Sequence, residues 1–498
     1  MIAVFFEVRT GLLPKFRVIR RKDRKHQYPI PYALCPGTPN LPEKGHMYYL
    51  RFLLLILLLP MIACDRAKDA TATATATPIP EPSPLSQLPS VAPLSNIRTN
   101  QIVPTKPLSP QPIRIVATSL PQPGATESAS KPPQVIPIPA SPVLRVPPGF
   151  VVNVFADNLD APRWLALTPT GDVLVTETRQ NRIMLLRDAN GDGVAEIKMT
   201  FASAQNGLNI PFGMAFADRY FFLGNTAEVR RFPYTKGQEQ LTGSGEKIAD
   251  LPGGGYNQHW TRNVVVSPDN RQLFVSVGSQ SNADVEPLPR ASVQVMNLDG
   301  KNQQTFASGL RNPVGLDFHP KTNQLYTTVN ERDGLGDDLV PDYLTRIRQG
   351  QFYGWPYAYF KPNLLDPRRV KNGKSDRPDL AAKTLMPDVL FQAHSAALGL
   401  QFYDGKTFPK RYHNGAFVAF RGSWNRNAGT GYKIVFVPFN AASGRPEGYY
   451  EDFLTGFLTD PSGPKTWGRP VGLLVLPDGS LLFTEEGNNR IYRVQYRG

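Results

Sequence analysis

An all-β fold is what the sequence predicts downstream of Phe150, on three observations. Short runs of β-branched and aromatic residues alternate with turn residues, no helical period is sustained, and one strand-pair motif recurs six times. The copies read PRWLAL from 162, PFGMAF from 211, TRNVVV from 261, PVGLDF from 313, ALGLQF from 397 and PVGLLV from 470. PTGDVLVTE, PDNRQLFVSVG, PKTNQLYTTVN and PDGSLLFTEE are the clearest second halves, each a turn followed by a second β run. The copies are 49, 50, 52, 84 and 73 residues apart, which suits a six-bladed β-propeller with insertions after the fourth and fifth copies. The run from Phe150 to Phe155 is then expected to complete the final blade. An array of β-sandwiches would have similar strands but no reason to repeat one motif six times.

The chain before this domain divides by composition. Residues 17–25, RVIRRKDRK, are basic and without apolar period, and residues 1–46 are expected to be a non-translated or unstructured extension ahead of a start at Met47. Residues 47–64 read as a lipoprotein-type signal peptide: twelve consecutive apolar positions run from Phe52 to Ala63 (counting Pro60), too few to cross a bilayer comfortably. The MIAC that ends it resembles a lipobox, which makes Cys64 the expected lipidated residue. A plain signal peptide or an uncleaved anchor is the alternative. Either way the body is expected to be exported, and with the lipid it is a membrane-anchored lipoprotein facing the periplasm or exterior of a bacterium.

Residues 65–148 hold 19 prolines in 84 positions and a TATATAT run, and are expected to form a disordered linker without secondary structure. The propeller domain is expected over 149–498. Cys35 and Cys64 are the only cysteines, so the domain has neither disulfides nor thiolate metal sites. Of the formal net charge of +14, half lies in residues 1–64, and no basic-aromatic patch suggests nucleic acid.

A propeller gathers its chemistry where loops of successive blades converge, and polar residues recur at equivalent loop positions. His259 and Arg262 bracket the third copy, Arg311 and Asn312 open the fourth, His394 precedes the fifth, RGSWNR at 421–426 follows its second strand, and Arg469 opens the sixth. After the fourth hairpin come Glu331, Arg332, Asp333, Asp337 and Asp338, interrupted by Gly334 and Gly336. Such a loop can offer oxygens to a hard cation such as calcium, or be a solvated acidic turn. A second loop, Asp188, Asn190, Asp192 and Gly193 with Glu196 beyond, resembles the start of an EF-hand, although Met199 stands at position twelve. It reads as a structural calcium site or as an Asx-rich turn.

GLNIPFGMAF, HWTRN, SVGSQSN, GLRNPVGLDF, NERDGLGDDLVPDYLT, YGWPYAY, HSAALGLQFYDG, FRGSWNR and GRPVGLLVLPDG together resemble the glucose/sorbosone dehydrogenases. These are exported six-bladed propellers that use pyrroloquinoline quinone (PQQ) with calcium. The resemblance covers about residues 145–498 and is closest to the sorbosone-dehydrogenase-like branch. It implies that His259 is the general base for the sugar hydroxyl, for which an imidazole is suited. It implies that Arg311 stabilises charge on the quinone oxygen, that Asn312 hydrogen-bonds the cofactor, and that Arg469 pairs with a PQQ carboxylate, with Arg262 and Arg421 as further partners. The backbone carbonyls of Asp333 and Gly334 are the implied ligands of the catalytic calcium. Val314 departs from soluble glucose dehydrogenase, where a glutamine touches the cofactor.

The leading expectation is thus a PQQ- and calcium-dependent dehydrogenase that oxidises an aldose or sugar aldehyde and passes electrons to an external acceptor. A metal-dependent lactonase would need carboxylates and an asparagine converging on one divalent ion, whereas these loops offer His and Arg. A non-catalytic binding propeller would need neither His259 nor the arginines.

Overall fold

The computed structural model describes residues 101–254 and 259–498. The expectations for 1–46, for the signal peptide at 47–64 with Cys64, and for linker residues 65–100 lie outside the described residues. Within them the chain is nearly all β, its α-helix limited to the single turn Pro378–Ala381. Among the described residues no helix is long and apolar enough to cross a membrane.

Each copy of the repeated motif supplies the first strand of one antiparallel sheet. Sheets I to VI begin with Leu165–Leu167, Met214–Ala217, Val264–Val266, Asn312–Phe318, Ala397–Phe402 and Pro470–Val475. Each first strand touches the first strand of the next sheet, and that of sheet VI touches that of sheet I. Sheet VI takes its fourth strand from the start of the domain: Phe150–Ala156 pairs with Arg490–Tyr496, with Phe150 opposite Tyr496. The insertion after the fourth copy adds Gln351–Phe352 to sheet III as a parallel edge.

The glycine of the motif explains how these strands come so close. A Cβ at Gly472 would lie 2.2 Å from the Arg163 carbonyl oxygen, one at Gly399 2.4 Å from that of Val471, and one at Gly315 2.5 Å from that of Leu398. At Gly213 it would lie 2.4 Å from the Val264 backbone nitrogen. The obstacle is backbone each time, which cannot swing aside. The ladder shifts register at Gly315, Gly399 and Gly472, so a bulge turns each glycine toward its neighbour. The other two copies solve the joint differently: Asn263 donates to the Val314 carbonyl at 3.0 Å, and Trp164 packs on Phe212 with ring centroids 4.7 Å apart. Gly472→Ala is therefore expected to destabilise the protein by about 1–3 kcal/mol or more, while Gly463→Ala, whose added Cβ meets nothing, stays within about 0.5 kcal/mol. Thermal denaturation of the two variants checks this.

Trp164 and Phe212, just ahead of the first strands of sheets I and II, and Val314, Leu398 and Val471, within those of sheets IV to VI, pack with Trp260 into an apolar layer. Beyond it lies a cavity of about 280 Å³ lined by the residues that follow, among them Leu165, Met214, Val264, Leu316, Leu400 and Leu473. Val314 thus has a packing role in this layer.

Residues 101–148 correct the expectation of a disordered linker. Ile102–Val103 joins the edge of sheet VI, Thr105–Pro107 pairs in parallel with Leu144–Val146, and Gln134–Val135 pairs in parallel with Lys465–Thr466. Ile113 exchanges backbone hydrogen bonds with Tyr450, and Arg145 with Thr455. Proline removes donors but does not prevent burial, and apolar residues spaced for an extended chain do the rest. Val103, Leu144 and Val146 are buried in the cluster that holds Phe453 and Trp467, with Ile136 and Ile138 packed against it. Each such burial contributes about 1.5–3 kcal/mol, which offsets the ordering entropy that a composition average charges to the whole segment.

Candidate functional site

The start of each first strand lies beside the end of the second: Asn312 is opposite Asn330, Ala397 opposite Phe420, and Pro470 opposite Glu485. Loops that enter first strands and loops that leave second strands therefore share one side of the sheets. His259, Arg311, Asp333, Arg421 and Arg469 all belong to them.

His259 is buried, and its Nδ1 lies 2.9 Å from both the carbonyl oxygen and Oγ of Ser279. A carbonyl only accepts, and Ser279 Oγ spends its own hydrogen on the Ser281 carbonyl at 2.6 Å. Nδ1 therefore carries the proton and Nε2 the lone pair. Burial, then the Arg311 charge, hold the imidazole pKa well below 6.5, so it is an unprotonated base at neutral pH. A Cβ at Gly278 would lie 2.5 Å from both His259 Cβ and Asn312 Oδ1, so glycine there lets these two residues approach. Asn312 Oδ1 is buried and has no hydrogen-bond partner among the described residues.

Arg311 is buried and commits every N–H to the protein. Nε donates to the Asn282 carbonyl at 2.9 Å, Nη1 to those of Asn330 and Glu331 at 3.3 and 2.6 Å, and Nη2 to Asn282 Oδ1 and Asp333 Oδ2 at 2.9 and 3.1 Å. No donor remains for a quinone oxygen. Its contribution is a fixed charge beside His259 and Asp333. Asp333 also accepts from Asn425 Nδ2 at 2.6 Å, and that amide reaches His394 Nδ1 at 3.1 Å. Burial works against its ionisation, but Arg311, His394 and His259 outweigh it and bring its pKa down to about 2.

Arg262 does not face this site. It is fully buried and donates to the carbonyls of His259, Thr261 and Pro252 at 2.7–2.9 Å, so it braces the His259 loop from behind. Position next to a functional histidine did not fix which way its side chain turned.

A second cluster gathers three arginines around Glu486. Arg163 and Arg421 each pair with Glu486, and Arg469 packs beside them, its Nε 3.4 Å from the Arg421 carbonyl and Nη2 3.5 Å from that of Gly422. Arg163 also lies over the Trp260 ring at 5.0 Å, next in sequence to His259. Burial works against ionisation of Glu486, but Arg421, Arg163 and Arg469 outweigh it and hold the carboxyl at about 2. Burial lowers Arg163 and Arg469 to about 10, which leaves both charged at neutral pH. Three guanidiniums therefore share one carboxylate in a site largely withdrawn from water. That imbalance, with the Nε of Arg163 buried and without a hydrogen-bond partner among the described residues, fits a multiply charged anion such as PQQ. Sequence reasoning missed Arg163, Glu486, Asn282 and Asn425. The signal for the first two was positional, since Arg163 stands in the first copy where Val314 stands in the fourth, and Glu486 follows the sixth hairpin as Glu331 follows the fourth.

The acidic loop fits calcium less well. The Asp333 carbonyl already accepts from Arg332 Nε at 3.1 Å, Arg332 Nη2 at 2.9 Å and Asn282 Nδ2 at 2.9 Å. Arg332 is itself anchored to Asp366 at 2.8 Å. A guanidinium capping this carbonyl opposes a metal at the same oxygen, so only the Gly334 carbonyl remains of the implied pair. In the other loop, carboxylate oxygens of Asp188, Asp192 and Glu196 lie within 4.8 Å of one another. Asp188 accepts from the amides of Gly191, Asp192 and Gly193 at 2.8–3.0 Å, and Asn190 Oδ1 from that of Asp192 at 2.8 Å. Those are the bonds of an Asx-rich turn.

The model of a family described as TrAA12-like matches residues 144–348 and 348–497. A Borreliella burgdorferi protein, named only as uncharacterized, is 30% identical over 363 residues, covering 71% of this chain and 91% of that one. A pyrroloquinoline quinone-dependent pyranose dehydrogenase of Coprinopsis cinerea is 26% identical over 397 residues, 68% of this chain but 53% of the relative, so this chain spans about half of it. Among solved structures, the calcium structure of a Trichoderma reesei AA12 carbohydrate-active enzyme superposes with a TM-score of 0.60 at 19% identity, over 73% of this chain and 98% of that one. At that identity the likeness is one of fold.

Proposed function

This chain belongs to the TrAA12-like family, and from that premise we propose that it is a PQQ-dependent dehydrogenase of an aldose or similar sugar, built as a six-bladed propeller with sheets I to VI as blades. The observation that carries the reading is the cluster of Arg163, Arg421 and Arg469 around the single carboxylate of Glu486, next to a histidine held as a free base. The Coprinopsis relative is named for the same cofactor and for a pyranose substrate.

Bound PQQ would supply the two-electron acceptor for the hydride that leaves the sugar carbon. Arg421, Arg469 and Arg163 would hold its carboxylates, and Asn312 Oδ1 would accept a hydrogen bond from it. His259 Nε2 takes the proton of the hydroxyl on that carbon, while Nδ1 stays fixed on the Ser279 carbonyl. Arg311 and Asp333 set the field around the imidazole, and the apolar layer of Trp164, Phe212 and Val314 keeps water from its underside. An aldose oxidised at its anomeric carbon leaves as a lactone, and the electrons go on to an external acceptor. The lactonase reading gains nothing from this site, because Asp333 and Glu486 are each engaged by arginine. Export and a lipid anchor at Cys64 remain part of the proposal on the sequence alone.

Calcium enters the reading through the calcium structure of the Trichoderma enzyme and the Gly334 carbonyl, with the Asp188, Asn190, Asp192 and Glu196 loop as a second, structural site. Purified protein titrated with PQQ, with and without Ca²⁺ or chelator, is expected to give a cofactor absorbance band and sugar-dependent dye reduction. A protein that takes up no PQQ in either condition, or hydrolyses lactones with metal alone, would overturn the assignment.

A further inference from the structure

We propose that residues 124–136 of the proline-rich segment act as a positioning strap, locking the loop at 333–338 to the loop at 421–427 so that Asp333 and Asn425 keep their places in the site. The contacts form a circuit. The Asp337 amide donates to Thr126 Oγ1 at 2.8 Å, the Asn427 amide donates to Asp337 Oδ1 at 3.0 Å, and Lys131 Nζ donates to the Asn427 carbonyl at 2.9 Å. Thr126 and Lys131, five residues apart in one extended segment, thus close a chain of hydrogen bonds across the seam between sheets IV and V.

Further bonds fasten the strap on both sides. Gly124 donates its amide to the Leu335 carbonyl at 2.9 Å, and Lys131 donates its own amide to that of Trp424 at 2.7 Å. Gly336 has φ +112°, and a Cβ there would lie 2.8 Å from Thr126 Oγ1, so the strap lies directly on the loop backbone. Lys131 Nζ also reaches the Ser462 carbonyl at 3.1 Å, and Asn488 Nδ2 donates to that of Ile136 at 3.0 Å, two residues beyond Glu486. Beneath the strap, the Gly336 carbonyl holds His394 Nε2 at 2.9 Å, and Asn425 bridges His394 to Asp333. The loops it fastens are those whose side chains fix Arg311 and tune His259. A segment that composition assigns to a passive tether thereby holds the loops of the site from outside.

The test uses the full chain with Lys131→Ala, Thr126→Val and the conservative Lys131→Arg. Hydrogen exchange in the cofactor-free protein is read at the amides of 333–338 and 421–427, with exchange in the first strands and the melting temperature as measures of global stability. Lys131→Ala and Thr126→Val are expected to speed exchange in both loops about tenfold, the effect of losing one hydrogen bond, with little change in the first strands. Lys131→Arg is expected to retain most of the protection. Unchanged loop exchange, or acceleration spread equally through the first strands, would overturn the strap. A second readout rests on the proposed function: PQQ should bind about tenfold more weakly to Lys131→Ala. If the unmodified protein takes up no PQQ, the functional reading fails while loop exchange still decides the strap.

Discussion

His259→Ala is expected to keep the fold and bind PQQ while turnover falls by about 10²–10⁴, the contribution of a positioned general base. The fold depends on strand ladders and the cofactor on the arginine cluster, neither of which involves the imidazole. Stopped-flow reduction of bound PQQ by sugar isolates the step, and wild-type rates in the variant would exclude His259 as the base. The pH dependence is a second check. Because burial and Arg311 hold this histidine well below 6.5, its base form persists as the pH falls through 6.5. The rate of PQQ reduction should therefore stay level there and decline only at lower pH, whereas an ordinary exposed histidine would already lose half its base form at about 6.5.

Arg421→Ala and Arg469→Ala are each expected to weaken PQQ binding by about 2–5 kcal/mol, the usual cost of removing one partner from a buried charge pair. Glu486→Gln should act in the opposite sense on the cofactor's stabilising effect. Without that carboxylate the guanidiniums of Arg163, Arg421 and Arg469 face one another unneutralised, so the cofactor-free protein melts lower and PQQ raises its melting temperature by more than in the wild type. Melting curves with and without PQQ separate the two cases. Equal shifts in all variants would mean that the anion binds elsewhere. The sign with pH follows from the lowered carboxyl. The stability this pair contributes is complete above the ordinary carboxylate value of 4.5 and is lost as the pH falls toward about 2.

The repeats were legible because each first strand must meet two constraints at once, an apolar alternation and, in four copies, a glycine facing the next strand's backbone. His259, Arg311, Asn312, Arg421 and Arg469 were legible because such residues recur at equivalent loop positions. Direction was not. Arg262 and Arg311 both stand at loop ends, yet one braces a loop from behind and the other is saturated by carbonyls and Asp333, and only the folded backbone decides this. Arg163 escaped notice because in its copy the arginine sits in the motif itself. The packing of residues 101–148 escaped because the spacing of Ile113 and Ile115, Ile136 and Ile138, and Leu144 and Val146 is diluted by the 19 prolines of 65–148.

The pairing of Phe150–Ala156 with Arg490–Tyr496 has a consequence for the order of synthesis. The strand Phe150–Ala156 leaves the ribosome about 340 residues before Arg490–Tyr496, and until then only Ile102–Val103 can pair with the run FVVNVFA, whose other edge is open and largely apolar. Sheets I, II, IV and V each draw their strands from one stretch of sequence, but sheet VI cannot seat its fourth strand until Arg490–Tyr496 has been made. Completion of sheet VI therefore has to wait for Arg490–Tyr496, while that edge stays open beside neighbours that can already form.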